Sequence, residues 1–171
     1  MTNLLVLGGS GRTGTHDLED AAARGHRVRA LVRNPDVVQA PPTVELIQGT
    51  PANIDDLGKA AQGTEAVISV LNNSRASDNP WAEPISPSMF MTDAAGNTLA
   101  VMDEQGTRSL DHLIRAFGTD WTLARAVALS DKPAVGPLRA SQTGNAEPAP
   151  RVSRADLAGF APSHLTSRSI A

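Results

Sequence analysis

The stretch LLVLGGSGRTG, residues 4–14, passes from four apolar residues straight into glycines spaced three apart, Gly8, Gly11 and Gly14. A short continuous apolar run suits a strand buried on both faces, as in a parallel sheet. From Arg12 to Arg24 the pattern is helical, with Leu18, Ala21 and Ala22 on one side, and Gly25 follows as a stop. The glycines therefore fill a strand-to-helix turn. The first permits the tight turn, the second lets a pyrophosphate approach the backbone, and the third lets the helix pack against the strand. The bare N–H groups of the helix's first turn then face the phosphates, backed by the positive end of the helix dipole. The competing reading is a helix-packing turn that binds nothing.

Outward from this turn the chain alternates. HRVRALVR (26–33) reads as a second strand, followed by the turn signal Asn34-Pro35, and TVELIQG (43–49) as a third. Asn53 can cap a helix over 54–61, Gly63 ends that region, and EAVISVL (65–71) is a fourth strand closed by Asn72 and Asn73. Such alternation predicts the α/β class: a Rossmann-like, doubly wound parallel sheet of about five strands in a single domain. Residues 1–73 form the dinucleotide-binding half and residues 74–171 the substrate half. In the second half, residues 74–88 read as a loop, about 89–104 and 110–117 as helices, and WTLARAVAL (121–129) as a strand. SRADLAGF (153–160) reads as a helix with Ser153 at its cap and Asp156 three residues on.

The end of the second strand bears on the choice of dinucleotide. Enzymes that use NAD usually place Asp or Glu there, to accept from the ribose 2′-hydroxyl. This chain has Arg33, with Arg12 in the glycine loop on the same side. Guanidiniums grip a 2′-phosphate bidentately, so NADP, as NADPH, is favoured over NADH. The alternative is that Arg33 is a solvated strand end.

Composition narrows the classes. A chain of 171 residues is by default one domain. The absence of cysteine excludes disulfides, thiolate metal sites and a cysteine nucleophile, and fits a reducing compartment. A net charge of −3 gives no reason to expect nucleic acid or an anionic membrane as partner. No apolar stretch approaches the roughly 20 residues of a membrane span, and LLVLGG follows the N-terminus with no basic leader. A cytoplasmic location is the resulting expectation. There is no tyrosine, and Lys59 and Lys132 are the only lysines, so a tyrosine–lysine mechanism is excluded. His16, His26, His112 and His164 show no metal-binding spacing, so no metal site is expected. None of them earns a catalytic assignment; His112, on a short helix that could lean over the pocket, is the nearest candidate.

GGSGRTG, ALVRNP, the IQG strand end and AVISVLNN resemble the atypical short-chain dehydrogenase/reductases, in particular NAD(P)H-binding proteins of the NmrA-like and biliverdin/flavin reductase type. SDNPWAEPISPS, AAGNTLAVMDEQG, DWTLARAVALSD and RVSRADLAGF extend the resemblance over nearly the whole chain. It implies that Gly8, Ser10, Gly11, Arg12, Thr13 and Gly14 form the phosphate-holding loop and that Arg33 meets the 2′-phosphate. It places Gly49 and Thr50 near the adenine, Leu71 and Asn72 near the nicotinamide half, and Ala126 to Leu129 along the nicotinamide's outer side. Asn73, Trp81, Phe90 and Val127 are the expected substrate-pocket residues; Trp81 or Phe90 could stack on a planar substrate, or anchor a hydrophobic lid. The chain also departs from the family. GTRSLDHL joins two helices directly where relatives carry a further strand and loop, so the substrate half looks shortened. The expected remedy is that strand 121–129 closes up beside strand 65–71, giving order 3-2-1-4-5, or that a partner chain covers the edge as a homodimer. Thr50 replaces an Asp usual in the family, Ala126 a Pro, and Asp17 an apolar residue.

Three functions remain open from sequence. One is an NADPH-dependent reductase of a planar acceptor such as a flavin or quinone, where holding two flat rings at reacting distance is the main task. The second is a non-catalytic NADP(H)-binding regulator or sensor. The third is a repurposed pocket protein that has lost reductase chemistry.

Overall fold

A computed structural model describes residues 1–72, 83, 85–105, 108–110, 128–136, 138 and 151–164. The chain opens with β1 (Asn3–Leu7), α1 (Arg12–Ala23), β2 (Arg27–Val32), a 3-10 turn at Pro35–Val37, β3 (Val44–Gln48), α2 (Ile54–Ala61) and β4 (Ala66–Ser69). It continues with α3 (Phe90–Gln105), β5 (Arg108–Leu110), β6 (Ala128–Ser130), β7 (Arg151–Ser153) and α4 (Arg154–His164). The main sheet is parallel throughout, in the order β3-β2-β1-β4-β5, while β6 and β7 form a separate parallel pair.

β1 is apolar at every position from Leu4 to Leu7 because both of its faces are covered. Successive strand side chains point to opposite faces. Leu4 and Val6 join Leu18 and Ala21 of α1 in one core cluster; Leu5 and Leu7 join Leu57 of α2 and Met102 of α3 in another. Burying each such leucine contributes about 1.5–3 kcal/mol, which makes this central strand the most heavily stabilised part of the sheet. α4 packs along α1, where Arg24 Nη2 donates to Gly159 O at 3.4 Å.

Local chemistry sets the helix boundaries. Asn53 Oδ1 accepts from Asp55 N at 2.9 Å and Asp56 N at 3.3 Å, capping α2 where the sequence places the cap. At α4, Ser153 Oγ accepts from Asp156 N at 2.9 Å and donates to Asp156 Oδ2 at 2.7 Å. That carboxylate also accepts from Val135 N at 3.1 Å and Gly136 N at 3.2 Å, tying the segment after β6 to the start of α4.

The order 3-2-1-4-5 is as expected, but its fifth strand is a different segment. β5 lies inside GTRSLDHL, the stretch read from sequence as a direct link between helices. Ala66 stands beside Arg108 and Ile68 beside Leu110. Arg-Ser-Leu carries no strand pattern of its own; the N–H and C=O groups along the free side of β4 are what call for a partner there. Leu110 consequently ends a strand instead of opening a helix, and the remainder of 110–117 lies outside the described residues. Of the expected strand 121–129, Ala128 and Leu129 belong to β6, paired with β7 and not with β4. Residues 121–127 lie outside the described residues.

Candidate functional site

Parallel strands release their connecting loops on one side, and that side gathers the predicted residues. Leu7 lies beside Leu31 and Ser69. The glycine loop therefore leaves β1 where Arg33 leaves β2 and where Val70 to Asn72 leave β4. Gly49 N donates to Val32 O at 2.9 Å, which brings Gly49 and Thr50 to the same rim.

Within the loop, Gly8 has φ +87°, a conformation that L side chains rarely adopt. A Cβ there would also meet Val70 O at 3.0 Å and Leu71 N at 3.2 Å, so Gly8 and Leu71 are in close apposition. Gly11 N donates to Gly8 O at 2.9 Å and closes the turn. Gly14 is buried, and a Cβ on it would overlap Gly8 O. The helix thus packs backbone-to-backbone on the loop, as the third glycine of the motif predicts.

The two helix starts at this rim differ. α2 is capped by a side chain and carries Asp55 and Asp56 in its first turn. α1 begins at Gly11 with no side-chain cap and no acid in its first turn. Its positive end therefore faces Ser10, Arg12 and Thr13, of which Ser10 and Arg12 are exposed and Thr13 half-buried. Arg33 is exposed and makes no ion pair among the described residues. Thr50 N donates to Asp56 Oδ2 at 3.1 Å, and a Cβ on Gly49 would meet the Asp56 side chain at 2.8 Å. Asn97 Nδ2 of α3 donates to Pro51 O at 3.1 Å, fixing the loop after β3 from the far side.

Arg12 carries a contact that sequence reasoning missed. Its Nη1 lies 3.3 Å from Asp131 Oδ2, and Arg154 Nη1 lies 2.7 Å from Asp131 Oδ1. No local signal marks Asp131: it is separated from Arg12 by 119 positions and simply follows β6. Phe90 opens α3, half-buried. Leu71 is half-buried and Asn72 exposed. Asn73, Trp81, His112, Ala126 and Val127 lie outside the described residues.

His26 and His16 take no part in this rim. His26 precedes β2 at the opposite end of the sheet, and burial of the ring, then the N-terminal amine and Arg24, lowers its pKa. His16 Nδ1 is 3.6 Å from Glu19 on α1. Asp17 is the other unusual group. It is 1% exposed, and neither carboxyl oxygen has a hydrogen-bond partner. Burial, then the charge of Asp20, raises its pKa to about 8. It lies on the stripe of α1 that carries Asp20 and Arg24 to α4, at the i, i+3 and i+7 positions.

Residues 8–110 match the model of a family described as NAD(P)H-binding, a span of more than half the chain that takes in the glycine loop and four of the sheet's strands. The chain belongs to this NAD(P)H-binding family. Solved structures share its fold. A Rossmann-fold NAD(P)-binding family protein from Shigella flexneri superposes with TM-score 0.76 at 18% identity, over 96% of this chain and 86% of that one. ChuY, an anaerobillin reductase from Escherichia coli O157:H7, gives 0.72 at 18% identity, over 98% and 92%. A wide-type short-chain dehydrogenase/reductase from Veillonella parvula DSM 2008, in complex with NADP, gives 0.73 at 13% identity, over 99% and 89%. The Rossmann-like α/β class and the expected NAD(P)H-binding family are thus borne out. Among the described residues no helix is long and apolar enough to cross a membrane, and no group of three or more His, Asp or Glu could hold a metal ion.

Proposed function

We propose that this member of the NAD(P)H-binding family is an NADPH-dependent reductase of a planar acceptor, such as a flavin or quinone, acting by direct hydride transfer. The observation that carries the reading is the pairing of an uncapped, acid-free α1 start with an exposed Arg33 at the end of β2. The amides of the first turn suit the diphosphate, and the guanidinium suits the 2′-phosphate that distinguishes NADPH from NADH. The rim has room for main chain to approach the ligand because Gly8 and Gly14 keep side chains out of the turn. NADPH, when bound, would supply the hydride, and the acceptor would take its proton from solvent. The protein's own part is then to bind and orient two rings; with no tyrosine in the chain, no phenol serves as acid. The lack of that group equally favours a second reading, a regulator that binds NADP(H) without turnover.

Titration with NADPH and NADH, followed by an acceptor panel of FMN and quinones, separates these readings. Acceptor-dependent oxidation of NADPH supports the reductase. Tight NADPH binding with no acceptor turned over supports the regulator. A folded protein that binds neither nucleotide at millimolar concentration overturns both.

A further inference from the structure

We infer that Asp131 sets the nucleotide affinity of this site by competing with a phosphate group for Arg12. The inference rests on the nucleotide-binding reading above and adds a residue to it. Arg12 is the first residue of α1 beyond Gly11, at the helix end that suits an anion. Its guanidinium meets the carboxylate of Asp131, from the segment after β6.

Asp131 divides its two oxygens unequally. The bond to Arg154 is short, at 2.7 Å, and the Arg154 side chain is only 14% exposed. The bond to Arg12 is longer, at 3.3 Å, between side chains 52% and 63% exposed. An exposed ion pair of that length is weak and easily exchanged. Asp131 is therefore held chiefly through Arg154, and its contact with Arg12 is the one that a phosphate can replace. The carboxylate acts as a built-in substitute for the ligand's anion. It occupies the guanidinium and removes one of the two positive charges that Arg12 and Arg154 would otherwise offer.

This makes Asp131 a positioning residue acting through Arg12. Asp131→Asn, which keeps an oxygen to accept from Arg154, tightens nucleotide binding by about 2–5-fold, the range of an exposed pair. At physiological salt, where charges beyond about 8 Å are screened, the same substitution in an Arg12→Ala background changes affinity by less than about 1.5-fold. Asp131→Ser is the second variant should Asn fail to fold. Dissociation constants for NADPH and NADH are read by calorimetry, each variant being checked for folding by its thermal melt.

Tightening of both nucleotides supports competition with the diphosphate, and tightening of NADPH alone supports competition with the 2′-phosphate. Unchanged or weaker binding by folded Asp131→Asn, or an equal gain without Arg12, overturns the inference while leaving the nucleotide-binding reading intact. Failure of the wild-type chain to bind either nucleotide overturns both.

Discussion

Replacing Asp17 should make this protein more stable, which is unusual for a fully buried residue. Its carboxyl is 1% exposed with both oxygens unpartnered, and its pKa is raised from 3.8 to about 8 by burial and by Asp20. In the unfolded chain the group is ionised at pH 7, whereas in the folded chain it is mostly protonated. Folding at pH 7 must therefore capture a proton against a pKa of 3.8, which costs roughly 4 kcal/mol at 1.36 kcal/mol per pH unit. A buried polar group without a partner adds about 1–3 kcal/mol. Asp17→Ala removes both costs and leaves a small void, for a net gain of about 2–4 kcal/mol at pH 7. The sign with pH follows from the raised pKa. The unfolded chain binds fewer protons between pH 3.8 and about 8, so wild-type stability is highest below that window, declines through it and is fully reduced above pH 8. Urea unfolding of wild type, Asp17→Ala and Asp17→Asn at pH 5.5, 7 and 8.5 checks this. The wild type should lose stability relative to both variants as pH rises. A wild-type curve parallel to theirs, or a less stable Asp17→Ala at pH 8.5, would refute the reasoning.

Other perturbations address the rim and the caps. Arg33→Ala should weaken NADPH binding by about 1–3 kcal/mol, the range for a charge-assisted contact, and leave NADH binding nearly unchanged in the same calorimetric titration. Parallel losses for both nucleotides would contradict the assignment of Arg33 to the 2′-phosphate. Gly14→Ala should cost about 3 kcal/mol or more in urea unfolding, because its Cβ would overlap Gly8 O, which is main chain and cannot turn aside. Asp156→Ala should cost about 0.5–2 kcal/mol for the hydrogen bonds its carboxylate accepts from Ser153 Oγ, Val135 N and Gly136 N. The Asp156 pKa is lowered, by Ser153 first, so its contribution is present above the unfolded pKa of 3.8 and fades as pH falls through the folded value. Acid unfolding of this variant should therefore begin closer to the wild-type curve than neutral unfolding does.

The first half of the fold was legible because each of its signals is local. LLVL before three spaced glycines, Asn53 before α2 and Ser153 three residues before Asp156 each name their own structure within a few residues. The rim residues Gly8, Gly11, Gly14 and Arg33 follow from the same turn chemistry. β5 was not legible, because Arg108–Leu110 is a strand only by virtue of β4 beside it. Asp131 was hidden for a similar reason: an exposed aspartate has no pattern, and its meaning comes from a glycine-loop arginine far away in the chain. Asp17 was visible as a departure from the family, which usually has an apolar residue there. How deeply it is buried was not legible, because burial is set by tertiary packing that no local pattern announces.

The fit of Gly14 against Gly8 has a consequence for anyone recombining this protein with its relatives. Where two segments meet through main chain alone, there is no rotamer to readjust and no neighbouring substitution that can make amends. The first strand, its turn and the opening of the first helix should thus be exchanged as an indivisible cassette. Hybrids that bring any other residue to position 8 or 14 should fail to fold, whereas joints after Gly25 should be well tolerated.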